Sequence, residues 1–385
     1  MVSRTDIYRF LALLIGFFVL YATTAQRGLG WGDSGEFQYR ILQCPNGILD
    51  GCDSFATAHP LYIALGKLLC GTPFQVTLLS SFFGALSVGG LFLCTRNLSL
   101  AILFGLSHIV WWLSCLAEVQ TMNLAFTILE LFLILKHLES KNSSLLVCAA
   151  FVIGVHLNCH NFALLSAPAL LFLMAQTSWK VRFATVLAVC VGSAYWITAI
   201  FEHGLSNVLV GSYGAQVAGL PSSPPGKLIF YFTANLTLAT LSLVVPITLA
   251  WLNRHAPASE KPKRTVLWIF FTTHILFVIR YFVPDQVTFL LPTLATAYLL
   301  LAHVRLSRLV TVALAVVQLL LPPGFYYALL AIRQPEPRSV KCERESRHAH
   351  RDDAAYFTLP WKFNDKSADR AATEHNGTWN GYPAN

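Results

Sequence analysis

The sequence predicts an all-α polytopic membrane protein: a bundle of about eleven transmembrane helices, with a large first outer loop carrying short interfacial helices. Three observations predict it. Of 385 residues, 55% are hydrophobic and 12% charged, where soluble domains carry about 25% charged residues. Apolar runs close to the roughly 20 residues that cross a bilayer recur from Leu11 to Leu330. These runs are continuous rather than alternating, which excludes a closed β-barrel.

The elements follow in order. Arg4 and Arg9 precede the apolar run Phe10 to Leu20 in the manner of a signal peptide. No small-residue cleavage site follows, so Ile7 to Thr24 reads as an uncleaved first span. A polar segment runs from Gln26 to His59, and Pro60 to Cys70 is apolar but too short to cross, suiting an interfacial or re-entrant helix. Further spans are expected near 75–95, 99–117, 119–136, 144–159, 161–177, 181–201, 227–252, 265–283, 286–303 and 308–330. Residues 1–330 therefore form the transmembrane domain, and 331–385 form a polar C-terminal tail. The one amphipathic patch in that tail, Phe357 to Lys362, suits a membrane surface, and Asn376-Gly377-Thr378 is a glycosylation sequon in a secretory setting.

The net charge of +8 is not a nucleic-acid footprint, because the basic residues lie in short loops between apolar runs. With the N-terminus inside, the inner loops hold Arg96, Lys136, Lys141, Lys180, Arg182, Arg254, Lys261, Lys263, Arg264, Arg305 and Arg308. The same alternation collects Asp33, Glu36, His59, Glu118, His156, His160, Arg280, Asp285 and the tail at the outer face. The nine cysteines are scattered without metal-ligand spacing. Cys44 and Cys52 share one polar loop and would pair if it faces an oxidising compartment.

Acids are scarce, so each one beside an apolar run asks for a reason. Asp33-Ser34-Gly35-Glu36 has the spacing of a capping box, a rigid mount from which a carboxylate can act as general base on a hydroxyl. His59 precedes Pro60, which predicts extended backbone and offers a phosphate donor or a partner for Asp33. Glu118 follows Trp111-Trp112, a pair suited to an interfacial belt; it either snorkels to water or accepts from sugar hydroxyls. His156 and His160 lie four apart on one helical face, but without a third ligand or an HExxH pattern they suit hydrogen bonding within the bundle or to phosphate better than metal. Arg280, beside Tyr281, either anchors a helix end or grips a phosphate as a fork, and Asp285 either pairs with it or caps the next helix.

Taken together, Gly32-Asp33-Ser34-Gly35-Glu36, Ala58-His59-Pro60-Leu61-Tyr62, Ala117-Glu118-Val119, and Asp285 with Phe289 and Pro292 resemble the transmembrane protein O-mannosyltransferases of the GT-C superfamily. Arg351-Asp352-Asp353 and Leu359-Pro360-Trp361-Lys362 are similar to the tails of bacterial members. The chain departs from the pattern in a shortened His-Pro segment, in Gln120 where a tyrosine is usual, and in the insert from Cys44 to Cys52.

The resemblance implies a GT-C-like bundle that moves a sugar, mannose first, from a polyprenyl phosphate to an acceptor hydroxyl on a protein or glycan, with inversion. Asp33 would be the base. Arg280, with His59 or His156, would steady the leaving phosphate, and Glu36 and Glu118 would position sugar or acceptor; His160, Tyr281 and Asp285 complete the substrate-binding set. The partners implied are the lipid-linked sugar, the acceptor and the bilayer, with no nucleic acid. No cofactor is implied beyond the lipid-linked donor, which is a substrate, and a divalent metal stays an open alternative. The site would face the outside of a bacterial plasma membrane, or the lumen of the endoplasmic reticulum in a eukaryote. A transporter or flippase, and a non-catalytic scaffold, are the rival readings.

Overall fold

The computed structural model describes residues 3–44, 59–209, 225–252, 261–281, 286–332 and 353–363. Those residues contain helices and turns and no strand. The first helix, α1 (Arg4–Thr24), begins at a capping box in which Ser3 and Asp6 satisfy one another's backbone N–H groups. Two short helices follow, α2 (Asp33–Leu42) and α3 (Pro60–Leu69), then the long α4 (Pro73–Thr95). The chain continues through α5 (Leu98–Gly105), α6 (His108–Ser114), α7 (Gln120–Ser140) and α8 (Ser143–Leu157). A 3-10 helix (Asn161–Ser166) runs into α9 (Ala167–Met174), followed by α10 (Trp179–Gly192), α11 (Ala194–His203) and α12 (Leu205–Leu209). The last are α13 (Pro225–Leu252), α14 (Lys261–Arg280), a 3-10 helix (Gln286–Leu290) with α15 (Leu291–Leu300), α16 (Arg308–Ile332) and α17 (Asp353–Thr358).

Among the described residues six helices are long and apolar enough to cross a membrane, and α10 with α11, bent by 66°, makes a seventh span if taken as one. The remaining expected spans are occupied by shorter pieces. The run near 99–117 breaks at Leu106–Ser107 into α5 and α6, and the run near 161–177 opens as a 3-10 helix. Breaks inside membrane protein are tolerated where neighbouring helices re-satisfy the freed backbone groups. Asn97 does so at one end of α5, donating to the Val304 carbonyl at 2.6 Å. Large apolar side chains face outward along the bundle, among them Ile15, Phe183, Val191, Ile279, Leu309 and Leu320. Such a surface is satisfied by lipid, and the protein is an integral, multi-pass membrane protein.

Small residues let the helices approach closely, as is usual in membranes. A Cβ on Gly154 of α8 would lie 2.4 Å from the Val189 carbonyl of α10, and one on Gly192 would lie 2.4 Å from the Phe151 carbonyl of α8. On α4, a Cβ at Gly84 would meet Ser114 Oγ at 1.9 Å.

Polar contacts sort the bundle into two ends. One holds Arg96–Asp6 (2.8 Å) and Lys263–Glu139 (3.3 Å). The other holds Gln26 bonded to Cys115, Leu61 to Asn158, and Lys362 to Thr24. Helix α7, 21 residues long, separates them by about 30 Å. Arg96, Lys136 and Lys263, read as inner, share the first end, and His59, Glu118 and His160, read as outer, share the second.

The tail patch does not lie flat on a membrane. Tyr356 and Phe357 pack on Trp112, and Trp361 packs on Trp111. Trp112 donates its indole N–H to the Tyr356 carbonyl at 2.7 Å. Trp111 and Trp112 are accordingly buried, not an interfacial belt, because the tail supplies the apolar cover that lipid was expected to give. Lys362 is buried as well; its ammonium donates to the Leu359 carbonyl at 2.8 Å and to the Tyr356 carbonyl, closing the end of α17.

Candidate active site

The site is built where α2 and α3 fold over one end of the bundle. The loop leading to α2 is fixed by Gln38, which is buried and accepts from Gly30 N–H at 2.6 Å while donating to the Pro73 carbonyl at 3.0 Å. Gly30 itself stands against α2, where an added Cβ would come within 2.6 Å of Ser34 Cβ.

The expected capping box does not form. Gly32 is the N-cap, with φ 59° and ψ −132°, a conformation that excludes a side-chain cap and suits glycine alone. Asp33 is thereby the first residue of the helix, and Glu36 turns forward to pair with Arg40 one turn on instead of reaching back. Asp33 keeps contact with solvent but is walled in by the surrounding protein. That enclosure, together with the nearby Glu36 charge, raises the Asp33 carboxyl above the ordinary carboxylate range, with Arg40 pulling the other way.

Glu118 lies between α6 and α7 and does not simply reach for water. One carboxylate oxygen accepts from Ser34 Oγ at 2.9 Å, and its backbone is held on both sides by Ser80, whose hydroxyl in turn meets Tyr62 at 3.0 Å. Asp33 and Glu118 thus flank Ser34 on α2.

His59 is not extended, as a residue before proline is expected to be. It adopts φ 45° and ψ 55° and caps α3. The Cys159 carbonyl, 2.9 Å from Nδ1, compensates for this strained backbone and places the Nδ1 proton. The ring stacks on His160 with centroids 4.9 Å apart and meets Phe37 edge-on at 5.6 Å. His160 continues the row through Phe289 (6.2 Å), and Phe289 reaches Tyr281 (5.1 Å), which sits directly after Arg280 at the end of α14. Burial and the adjacent His59 and His156 hold His160 well below the usual histidine range.

His156 is drawn into the bundle instead of the opening. Nδ1 lies 2.6 Å from Glu130 Oε1, Nε2 lies 2.6 Å from the Asn123 carboxamide, and Ser166 donates to Glu130 Oε2 at 2.6 Å. The structure brings Asp33, Glu36, Glu118, His59, His160 and Tyr281 to one end of the bundle, with Arg280 at the adjoining helix end. Asp285 lies outside the described residues, as do Cys52 and Asn376; Cys44 is disulfide-bonded. Ser34, Gln38 and Arg40 escape a reading of single residues, although the four-residue spacing of Glu36 and Arg40 signals their pair. The open groove lined by Lys261, Arg264 and Trp268 belongs to the opposite end.

This fold has solved relatives. The structure of ArnT from Cupriavidus metallidurans bound to undecaprenyl phosphate superposes with a TM-score of 0.61 at 14% identity, over 88% of this chain and 68% of that one. The apo state of the same protein gives 0.61 at 13%, over 86% of this chain and 65% of that one. Residues 94–183 match the family described as the Protein O-mannosyl-transferase TMEM260 N-terminal domain. The chain shares the fold of ArnT, and its residues 94–183 resemble the protein O-mannosyl-transferase domain. The matched segment carries Glu118, Glu130, His156 and His160, while Asp33 and His59 precede it. A comparison with curated proteins gave no match.

Proposed function

We propose that this protein is a membrane glycosyltransferase that moves a sugar, mannose first, from a polyprenyl-phosphate donor to an acceptor hydroxyl on a protein or glycan. The observation that carries the reading is Asp33: a solvent-reachable carboxylate with a raised pKa, on the first turn of a helix, next to the Ser34 that bonds Glu118, at the end where His59 and His160 stack. A carboxylate with a raised pKa is a stronger base than an ordinary one.

In this reading the acceptor oxygen attacks the anomeric carbon, Asp33 takes its proton, and the carbon–oxygen bond to the phosphate breaks with inversion. The phosphate is already a competent leaving group, so a cation and a hydrogen-bond donor suffice; Arg280 and the His59 ring supply them. Glu118 and Glu36 orient hydroxyls. The site faces the outside or the lumen, following the basic bias of the opposite end. The fold likeness to ArnT, whose structure holds undecaprenyl phosphate, supports a lipid-linked donor.

The test is transfer of labelled sugar from polyprenyl-phosphate mannose in reconstituted membranes, wild type against Asp33→Asn. Loss of transfer in the folded variant is expected; undiminished transfer removes Asp33 from the role of base. A proton-coupled carrier is the second reading, favoured by the full burial of Glu130 halfway along a spanning helix. Proton-driven uptake into proteoliposomes without sugar transfer would decide for it.

A further inference from the structure

The helix α7 carries Gln120, Asn123, Thr127 and Glu130 at alternating spacings of three and four, a polar stripe on one face of an apolar helix. All four are buried. Heavy-atom distances link Gln120, Asn123 and Glu130 with Ser166, His156 and His160 into a single file: Ser166 to Glu130 (2.6 Å), Glu130 to His156 (2.6 Å), His156 to Asn123 (2.6 Å), Asn123 to Gln120 (3.2 Å), and Gln120 to His160 Nε2 (3.4 Å), while Thr127 turns its hydroxyl to the Asn123 backbone carbonyl. The file ends at the ring stacked on His59.

One contact fixes its direction. The backbone N–H of Phe162 donates to His160 Nδ1 at 3.1 Å, and a backbone donor cannot be reversed. A neutral His160 therefore carries its proton on Nε2, and Gln120 must present oxygen to it. The nitrogen and oxygen of a carboxamide exchange by a half-turn at the same positions. Gln120 nitrogen then donates to Asn123 oxygen, and Asn123 nitrogen donates to His156 Nε2. His156 is left with its proton on Nδ1, given to Glu130, which also accepts from Ser166. Every link then joins one donor to one acceptor.

We propose that Gln120, Asn123, His156, Glu130 and Ser166 are positioning residues: a one-directional hydrogen-bond chain, set by the Phe162 N–H, that holds His160 as a neutral ring and leaves the positive charge of the stacked pair to His59. The consequence for the donor phosphate rests on the transferase reading above; the direction of the chain does not. Two imidazolium rings stacked this closely would repel, so a committed proton on His160 is what lets His59 take the charge.

The opposite arrangement makes His156 an imidazolium between Glu130 and the Asn123 oxygen, and two substitutions separate them on the full-length protein in detergent. In the proposed direction Glu130→Gln keeps its acceptor for His156 and donates to Ser166, so its thermal midpoint stays near wild type. Asn123→Asp cannot donate to His156 Nε2, and Glu130→Ala leaves the His156 proton unpaired, so both fall by about 2–4 °C or more. A destabilised Glu130→Gln with a tolerated Asn123→Asp would overturn the direction, because a buried imidazolium needs its counter-charge.

The positioning role is read separately, as a KM-against-kcat split with polyprenyl-phosphate mannose. Gln120→Met removes the acceptor for His160 and is expected to raise donor KM about 2- to 10-fold, the span of one hydrogen bond's net worth, with kcat little changed. An unchanged KM would overturn the positioning role even where the stability order holds. Absence of transfer by the wild type would strike the transferase reading and leave the stability order to decide the chain.

Discussion

Asp33 titrates above an ordinary carboxylate because enclosure and the Glu36 charge oppose its ionisation, and Arg40 opposes them. The base form is lost as pH falls through this raised pKa, so the acid limb of the pH–rate profile should lie above the roughly 3.9 of a free aspartate. Removing the cation has a definite sign. Arg40→Gln withdraws the one nearby charge that lowers the Asp33 pKa, so the acid limb should move to higher pH; an unmoved limb would separate the limb from Asp33. Asp33→Asn should lower kcat by about 100-fold or more, the usual worth of a general base, with the thermal midpoint retained. The sequence made Asp33, Glu36, His59 and Glu118 legible because acids and histidines beside apolar runs are rare. It did not show that Gly32 would cap α2 or that His59 would turn left-handed. Both depend on partners distant in sequence: the fold of the loop onto α2, and the Cys159 carbonyl one hundred residues away.

At the scale of elements, the close approach of α8 and α10 through Gly154 and Gly192 leaves no space for a side chain, since the atoms that a Cβ would meet are backbone. Gly154→Leu should therefore cost about 1–3 kcal/mol through helix displacement, read as a lower thermal midpoint in detergent. It should also disturb His156, two residues along α8, more than it disturbs Asp33. Long apolar runs made α1, α4, α7, α14 and α16 legible from composition. The break between α5 and α6 was not legible, because the expected span near 99–117 runs across it, whereas the boundary at Asn161 was legible and only its 3-10 opening was not. What interrupts the helix is a backbone rearrangement satisfied by neighbours, and neighbours are a property of the packed bundle.

At the scale of the molecule, the two ends differ in kind. One end carries partly exposed ion pairs between helix termini; the other gathers acids, histidines and aromatic rings under α2, α3 and the segment 353–363. Charge bias alone sorted the described residues onto these ends, because basic residues mark one side of a membrane and leave the other for chemistry. The reach of the tail back onto Trp111 and Trp112 was not legible: the patch is amphipathic, and amphipathicity does not distinguish a bilayer from a protein surface. Trp361→Ala should loosen this cover, and faster limited proteolysis between the last span and residue 353 would register it, whereas an unchanged rate would place the patch off the bundle.

The tail contact also sets a schedule. Tyr356 meets Trp112 across 244 residues of chain, and Lys362 donates its backbone N–H to the carbonyl of Thr24, at the end of the first helix. The first described span is thus joined to the last described helix and the turn that follows it. Throughout the insertion of every intervening helix, two tryptophans at the rim of the site wait without their cover. The rim is completed only when segment 353–363 has been delivered to the same side, so maturation of the site waits for that segment and not for the entry of its first aspartate.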